Sequence, residues 1–335
     1  MPKQKFYNLS LYRLIATICV LQFHVFFILY NRAIPFETLL SKGVQGLTAM
    51  SGFLYSQKII KDCKGFYLKS LKKLFIPALV CVSIMALWNL VYMLIAKNYD
   101  YISLFFGHRV WNDGLLFQPA NFYYLAYIFG CYLITPLLQK GKTTKIITIS
   151  TLSVAEITLA FFLGQPIIII PYFIGYLIGK WRYKKYTLAE EKAPVDLVVY
   201  ILITALMFGL YALGVMVFSS DQYWVIKLIQ LSNNMTSALF GVGTFFVFAI
   251  LFRILNKVDR IYTLEFTDKI CLFIYLLNQT FMCGAMNVAI WVDNMISKTI
   301  LVYVFTIAFA CGCYFLSNLL LNIKFKKKEV QENRQ

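Results

Sequence analysis

The first apolar stretch of the chain decides its fold, and residues 9–30 read LSLYRLIATICVLQFHVFFILY. Its length suits a helix that crosses a bilayer, which takes about 20 mostly apolar residues. Two ionisable side chains interrupt it, Arg13 and His24, eleven residues apart. On a helix this separation corresponds to about 1100°, close to three turns, and to about 16 Å along the axis. Both side chains are therefore predicted on one face, and because ionisable groups inside a membrane segment are costly, they are the first candidates for function.

The composition predicts that this stretch is one of many. The 335 residues are 60% hydrophobic and 14% charged, with a mean hydropathy of +0.69. A soluble domain is about 45–50% apolar and about 25% charged. No polar stretch is long enough to fold as a separate soluble domain. We therefore predict an all-α, polytopic membrane protein with a membrane domain over residues 1–323 and a basic cytoplasmic tail over residues 324–335.

Hydropathy and charge together give the predicted topology. Ten apolar segments are candidate spanning helices, at about 9–31, 43–60, 74–96, 120–139, 144–163, 165–180, 195–218, 236–256, 268–291 and 298–322. With the N-terminus in the cytoplasm, 25 lysines and arginines fall in inside segments and 6 in outside segments. Since cytoplasmic loops carry an excess of Lys and Arg, this split favours about ten helices with both termini cytoplasmic.

The net charge and the cysteines exclude several classes of function. The charge of +17 is spread over short segments between apolar runs, which argues against nucleic-acid binding. The eight cysteines have neither the spacing of a disulfide framework nor that of a zinc site, and no metal site is predicted. Free cysteines that pack as small hydrophobes are the preferred interpretation.

Each member of the first helix's ionisable pair has two interpretations. Arg13 lies one turn inside the predicted cytoplasmic end, where it could snorkel to lipid headgroups or bind an anionic ligand with its planar fork. His24 lies nearer the outer leaflet, where a neutral imidazole could be a general base or a structural hydrogen-bonding group between helices.

Other polar groups in apolar surroundings are weaker candidates. Glu156 lies near the middle of the fifth predicted helix, where an unpaired carboxylate is expensive. Residues 43–53 are rich in small residues, and either pack closely against a neighbouring helix or line a cavity. The longest outside segment, residues 97–119, mixes aromatic and polar side chains, as in an interfacial belt or a lip that stacks on sugar rings. Its members include His108 and Trp111, and Asn121 follows it.

Taken together, five segments resemble the acyltransferase-3 family of bacterial integral membrane O-acyltransferases. Arg13 and His24 match the family's Arg-x10-His signature, and four further segments are similar in order and spacing. These are Met50–Phe53, Phe66–Lys69 with Lys72–Pro77, Phe122–Leu125 with Tyr132–Leu138, and Ile274–Gln279. Two departures stand out. Lysines occupy positions where the family usually has arginines before the proline, and lysine loses the bidentate fork. Asn278 stands where the family has a histidine, which removes a proton carrier.

The resemblance implies transfer of an acetyl group from cytoplasmic acetyl-CoA to a hydroxyl of an extracytoplasmic carbohydrate, at a bacterial cytoplasmic membrane. A capsular polysaccharide or exopolysaccharide is the expected acceptor. His24 and Arg13 are the expected catalytic residues. The residues expected at acetyl-CoA are Arg13, Ser51, Lys69, Lys72 and Lys73, and those expected at the carbohydrate are His108, Trp111, Asn121, Tyr124, Glu156 and Asn278.

Two other functions fit a multispanning protein with a central polar pair. A transporter or flippase of a lipid-linked glycan is the main alternative, and a non-catalytic sensor is the second. The Arg-x10-His spacing and the lack of a detectable internal repeat favour the enzyme over a transporter.

Overall fold

The structure is a computed structural model that describes residues 7–30, 40–96, 123–183, 193–217, 222–255, 262–282 and 286–332. Within these ranges the chain forms ten α-helices and no strand. They are α1 (Tyr7–His24), α2 (Gly43–Ser56), α3 (Cys63–Ala96), α4 (Tyr123–Gln139), α5 (Lys142–Leu163), α6 (Ile169–Trp181), α7 (Ala193–Val217), α8 (Tyr223–Leu255), α9 (Tyr262–Leu277) and α10 (Met295–Glu332).

A helix lies at each of the ten apolar segments predicted from the sequence. In the described part of the chain, six helices are long and apolar enough to cross a membrane, namely α1 with its extension, α3, α5, α7, α8 and α10. The helical, polytopic membrane fold is therefore confirmed. The count of ten crossings and the cytoplasmic location of both termini stay predictions.

The ninth predicted helix, 268–291, is wrong in its second half. Helix α9 starts earlier, at Tyr262, and stops at Leu277. Turns follow through residue 282, and a short 3-10 segment, Ala289–Trp291, precedes α10. At the start of the 3-10 segment, the side-chain oxygen of Asn287 accepts a hydrogen bond from the backbone N–H of Ala289 at 2.9 Å. Asparagine side chains offer the backbone such alternatives to helical hydrogen bonds.

The chain divides into two compact units. The first comprises Met1–Phe23, Ala33–Leu68 and Tyr127–Glu265, and the second comprises His24–Arg32, Lys69–Ala126 and Phe266–Gln335. The first unit thus holds most of α1 and of α4, together with α2 and α5–α8. The second holds most of α3 and of α9, the first turn of α4, and α10.

Glycines set the packing in the first unit, where α2 lies directly against α6. A Cβ atom on Gly52 would lie 2.1 Å from the carbonyl oxygen of Tyr172, and one on Gly175 would lie 2.0 Å from that of Ala49. These separations are far below van der Waals contact, so only glycine fits at either place. The small-residue segment at 43–53 is therefore a packing face, as small residues allow close helix approach.

Candidate functional site

His24 ends α1 and contacts a side chain from the turns after α9, within the second unit. The amide nitrogen Nε2 of Gln279 lies 3.0 Å from the Nδ1 atom of His24 and 3.3 Å from its Nε2 atom. The amide nitrogen thus lies within hydrogen-bond distance of both ring nitrogens. This is a hydrogen bond between residues 255 positions apart, so the tertiary fold places an amide on the predicted catalytic imidazole.

The backbone changes its winding directly after His24. Residues Val25–Leu29 form a π-helix, a rare geometry that often marks functional sites. The segment is anchored at its end by Tyr30, whose hydroxyl lies 2.9 Å from that of Thr299 and donates to the carbonyl of Met295 at 3.3 Å. The winding change and this anchor fix where α1 ends and hence where His24 lies in the unit.

Gln279 belongs to a non-helical segment that stays inside the protein. Non-helical backbone at membrane depth is tolerated only where protein or a cavity surrounds it, because its polar groups need partners. Two such partners are present. The backbone N–H of Thr280 donates to the carbonyl of Leu277 at 3.0 Å, and the backbone N–H of Met282 donates to the backbone carbonyl of Gln279 at 3.1 Å. Asn278 is fully buried beside Gln279. The segment therefore belongs to the packed, hydrogen-bonded interior of the protein.

Among the predicted carbohydrate residues, Tyr124 and Asn278 belong to the same unit as His24. Tyr124 is buried, and its ring centroid lies 4.9 Å from that of Tyr275 on α9. Gln279 falls within the ninth predicted helix, 268–291, and is not among the site residues that the sequence predicts. Its only sequence signal was its position next to Asn278 in an apolar run.

Arg13 is half-buried on α1 and belongs to the first unit, whereas His24 belongs to the second. One helix carries both side chains, as the apolar stretch predicted. The position of both side chains on one face of this helix stays a prediction.

The predicted acetyl-CoA residues differ in exposure. Lys69, Lys72 and Lys73 are all exposed on α3. Ser51 is half-buried on α2, and its hydroxyl donates to the carbonyl of Leu47 one turn earlier, at 3.0 Å.

Glu156 has partners inside the protein, on the next helix. Its Oε1 atom accepts the backbone N–H groups of Ile168 and Ile169, both at 2.6 Å, and its Oε2 atom accepts that of Ile170 at 2.8 Å. These groups begin α6, and the first N–H groups of a helix have no partner within it. Pro171, next in the chain, brings no N–H at all. The carboxylate therefore caps α6, and a carbohydrate would have to displace these bonds to reach it.

The remaining predicted site residues, His108, Trp111 and Asn121, lie outside the described residues. Within the described ranges, no group of three or more His, Cys, Asp or Glu side chains could hold a metal ion. The seven cysteines in those ranges are free.

The described helices and their apolar lengths define a multispanning helical membrane protein. A model of the acyltransferase-3 family, described as an acyltransferase domain, matches residues 6–316. The chain belongs to this family and is a membrane acyltransferase. No curated protein and no solved structure matched it.

Proposed function

We propose that this protein transfers an acetyl group from cytoplasmic acetyl-CoA to a hydroxyl of an extracytoplasmic carbohydrate. The observation that carries the proposal is the contact of His24 with Gln279 at the π-helical end of α1, in a chain that belongs to an acyltransferase family. An imidazole that a side-chain amide orients within a unit of apolar helices is suited to proton transfer.

The proposed reaction is a direct acyl transfer in which His24 is the general base. The acceptor hydroxyl oxygen attacks the thioester carbonyl carbon, so that a C–O bond forms and the C–S bond breaks. The hydroxyl proton passes to His24 and from there to the departing thiolate. The products are the O-acetyl ester and CoA with a free thiol, and no oxidant or metal is needed to balance the step.

Positive side chains are proposed to bind the donor. Arg13 offers a planar guanidinium that can engage a CoA phosphate with two hydrogen bonds. Lys69, Lys72 and Lys73 are exposed and would add point charges for the remaining phosphates. The excess of positive charge in the predicted cytoplasmic segments agrees with a donor that arrives from that side.

The proposed acceptor is a capsular polysaccharide or exopolysaccharide at a bacterial cytoplasmic membrane. The family resemblance supports this class, and residues 97–119 supply aromatic rings that suit pyranose stacking. His108, Trp111 and Asn121 are the proposed contacts there.

A His24→Ala variant tests the catalytic role. Because general-base help contributes about 10²–10⁴-fold, acetyl transfer should fall by roughly that factor while the protein inserts normally. Purified protein in liposomes with radiolabelled acetyl-CoA and the host's surface glycan would report both labelled glycan and released CoA thiol. Ile18→Ala is the matched control, because Ile18 is an exposed apolar residue on the same helix. Equal rates for the His24→Ala variant and the wild type would refute the mechanism.

Binding of CoA distinguishes the enzyme from a glycan flippase. A ligand that binds only the folded state raises its melting temperature, so CoA should stabilise both wild-type protein and the His24→Ala variant. An Arg13→Lys variant should need more CoA for the same shift, because the bidentate contact is lost. No shift with CoA at millimolar concentration, together with transbilayer movement of a labelled lipid-linked glycan, would favour the flippase.

A further inference from the structure

A short non-helical connection, residues 57–62, joins α2 to α3, and hydrogen bonds to α4 and α6 fix its backbone. Gln139, the last residue of α4, donates from Nε2 to the carbonyl of Lys58 at 2.7 Å, and its Oε1 atom accepts the backbone N–H of Ile60 at 3.0 Å. Gln57 donates from its own Nε2 atom to a backbone carbonyl of α6 at 2.6 Å. All of these residues belong to the first unit, so the connection has a defined geometry within that unit.

The connection carries positive charge on this fixed backbone. Lys58 and Lys61 are exposed, and the Nζ atom of Lys58 lies over the ring of Tyr55, 4.8 Å from its centroid, in a cation–π contact. The connection has one carboxylate, on Asp62, and it lies against the first turn of α3, because a Cβ atom on Gly65 would be 2.1 Å from its Oδ2 atom. A helix N-terminus favours a negative charge at this place. The two lysines are therefore the charges that the connection presents to a ligand.

The predicted topology puts the connection on the cytoplasmic side, from which the proposed donor arrives. CoA carries phosphate groups at its nucleotide end, and lysine binds phosphate as a point charge. A site that is already ordered loses little freedom on binding, which increases affinity. We propose that residues 57–62 form a phosphate-binding segment for the nucleotide end of acetyl-CoA, with Lys58 and Lys61 as the binding residues and Gln139 as the positioning residue. The inference rests on the proposed function, because that function names the donor.

Lipid headgroups carry phosphate too, and they lie at the same membrane surface. The two sources differ in what they require of the protein. A lysine that only attracts an anionic lipid surface acts through its charge near that surface and needs no defined position. The hydrogen bonds that Gln139 makes to the connection give its lysines a defined position, which favours the nucleotide.

A shortened donor tests the assignment in vesicles of neutral phosphatidylcholine, because S-acetylpantetheine lacks the nucleotide and its phosphates. The Lys58→Gln, Lys61→Gln double variant should show a KM for acetyl-CoA that is higher by about threefold to tenfold, since an exposed ion pair contributes up to about fivefold in affinity. Its kcat, and its KM for S-acetylpantetheine, should equal those of the wild type. Lys142→Gln is the matched control, because Lys142 is an exposed lysine in another predicted cytoplasmic segment, and it should change neither KM.

A Gln139→Leu variant tests the fixed backbone. It keeps both lysines but removes the hydrogen bonds to the carbonyl of Lys58 and the N–H of Ile60. The KM for acetyl-CoA should rise and the KM for S-acetylpantetheine should not, a difference that a general loss of structure would not produce. A wild-type KM for acetyl-CoA in this variant overturns the positioning role.

The outcomes separate the two sources of phosphate and the two proposals. An equal rise in KM for both donors, or an effect that appears only in vesicles with anionic phosphatidylglycerol, assigns the lysines to lipid and overturns the nucleotide site. A wild-type KM for acetyl-CoA in the double variant also overturns it and leaves the proposed function intact. Binding of CoA, read as a rise in melting temperature, needs no transfer. A rise that the double variant loses, in a protein that acetylates no carbohydrate, would keep the phosphate site and overturn the proposed function instead.

Discussion

Removal of the Glu156 carboxylate should destabilise the protein more than it impairs the chemistry. The three backbone N–H groups at the start of α6 all donate to this one side chain, over 2.6, 2.6 and 2.8 Å. Glu156 itself is 5% exposed, so water does not readily replace it. Each buried donor left without a partner costs about 1–3 kcal/mol.

The substitutions can be graded from these contacts. Glu156→Gln keeps one oxygen but turns an NH₂ group toward a backbone donor, and it removes the negative charge that favours a helix N-terminus by about 0.3–1 kcal/mol. We expect a loss of about 2–4 kcal/mol in the free energy of unfolding. Glu156→Ala removes all three bonds and should cost at least about 3 kcal/mol. Thr158→Ala is the matched control, because its exposed hydroxyl bonds only within α5, and surface changes stay within about 0.5 kcal/mol.

The assay is the fraction of monodisperse protein that survives a temperature ramp in detergent, read by fluorescence size-exclusion chromatography. The expected order of midpoints is wild type equal to Thr158→Ala, then Glu156→Gln, then Glu156→Ala. Transfer activity per folded molecule, measured well below the midpoint, should stay close to wild type in Glu156→Gln. A Glu156→Gln protein that melts like wild type but transfers poorly would refute the capping argument and place Glu156 at the substrate.

Two further predictions follow from the first unit. Gly175→Ala puts a Cβ atom 2.0 Å from the backbone oxygen of Ala49 and should lower the free energy of unfolding by about 1–3 kcal/mol. Gly130→Ala is the control, because its Cβ atom would meet nothing within 4 Å, and it should be neutral or stabilising. Equal melting midpoints for the two variants would contradict the close packing. Burial lowers the pKa of Lys42, just before α2, from its ordinary 10.5 to about 8. Between pH 8 and 10.5 the unfolded chain therefore binds more protons than the folded protein, and the free energy of unfolding should rise with pH across this window. Melting midpoints measured from pH 7 to 10 should rise in the wild type and rise less in the Lys42→Met variant. An identical pH dependence of the two midpoints would contradict the role of Lys42.

Local patterns were enough to predict much of the fold. Each apolar run predicted a helix because a membrane segment must satisfy its backbone internally, and a helix does so using only its own residues. The residues at which helices begin and end were harder to predict from the sequence. The start of α6 at Ile169 depends on a carboxylate twelve residues or more away in sequence, and the stop of α9 at Leu277 lies within a continuous apolar run.

The sequence by itself determined the helical membrane architecture, the shared helix of Arg13 and His24, and the family, since these depend on composition, periodicity and short-range spacing. Only the tertiary structure decided that Gln279 meets His24, that Glu156 caps a helix, and that the small-residue segment is a packing face. Each of these is a contact between residues that are distant along the chain. Such contacts depend on how helices pack, which no local pattern encodes, because an apolar helix face looks alike whether lipid, a neighbouring helix or a polar partner covers it.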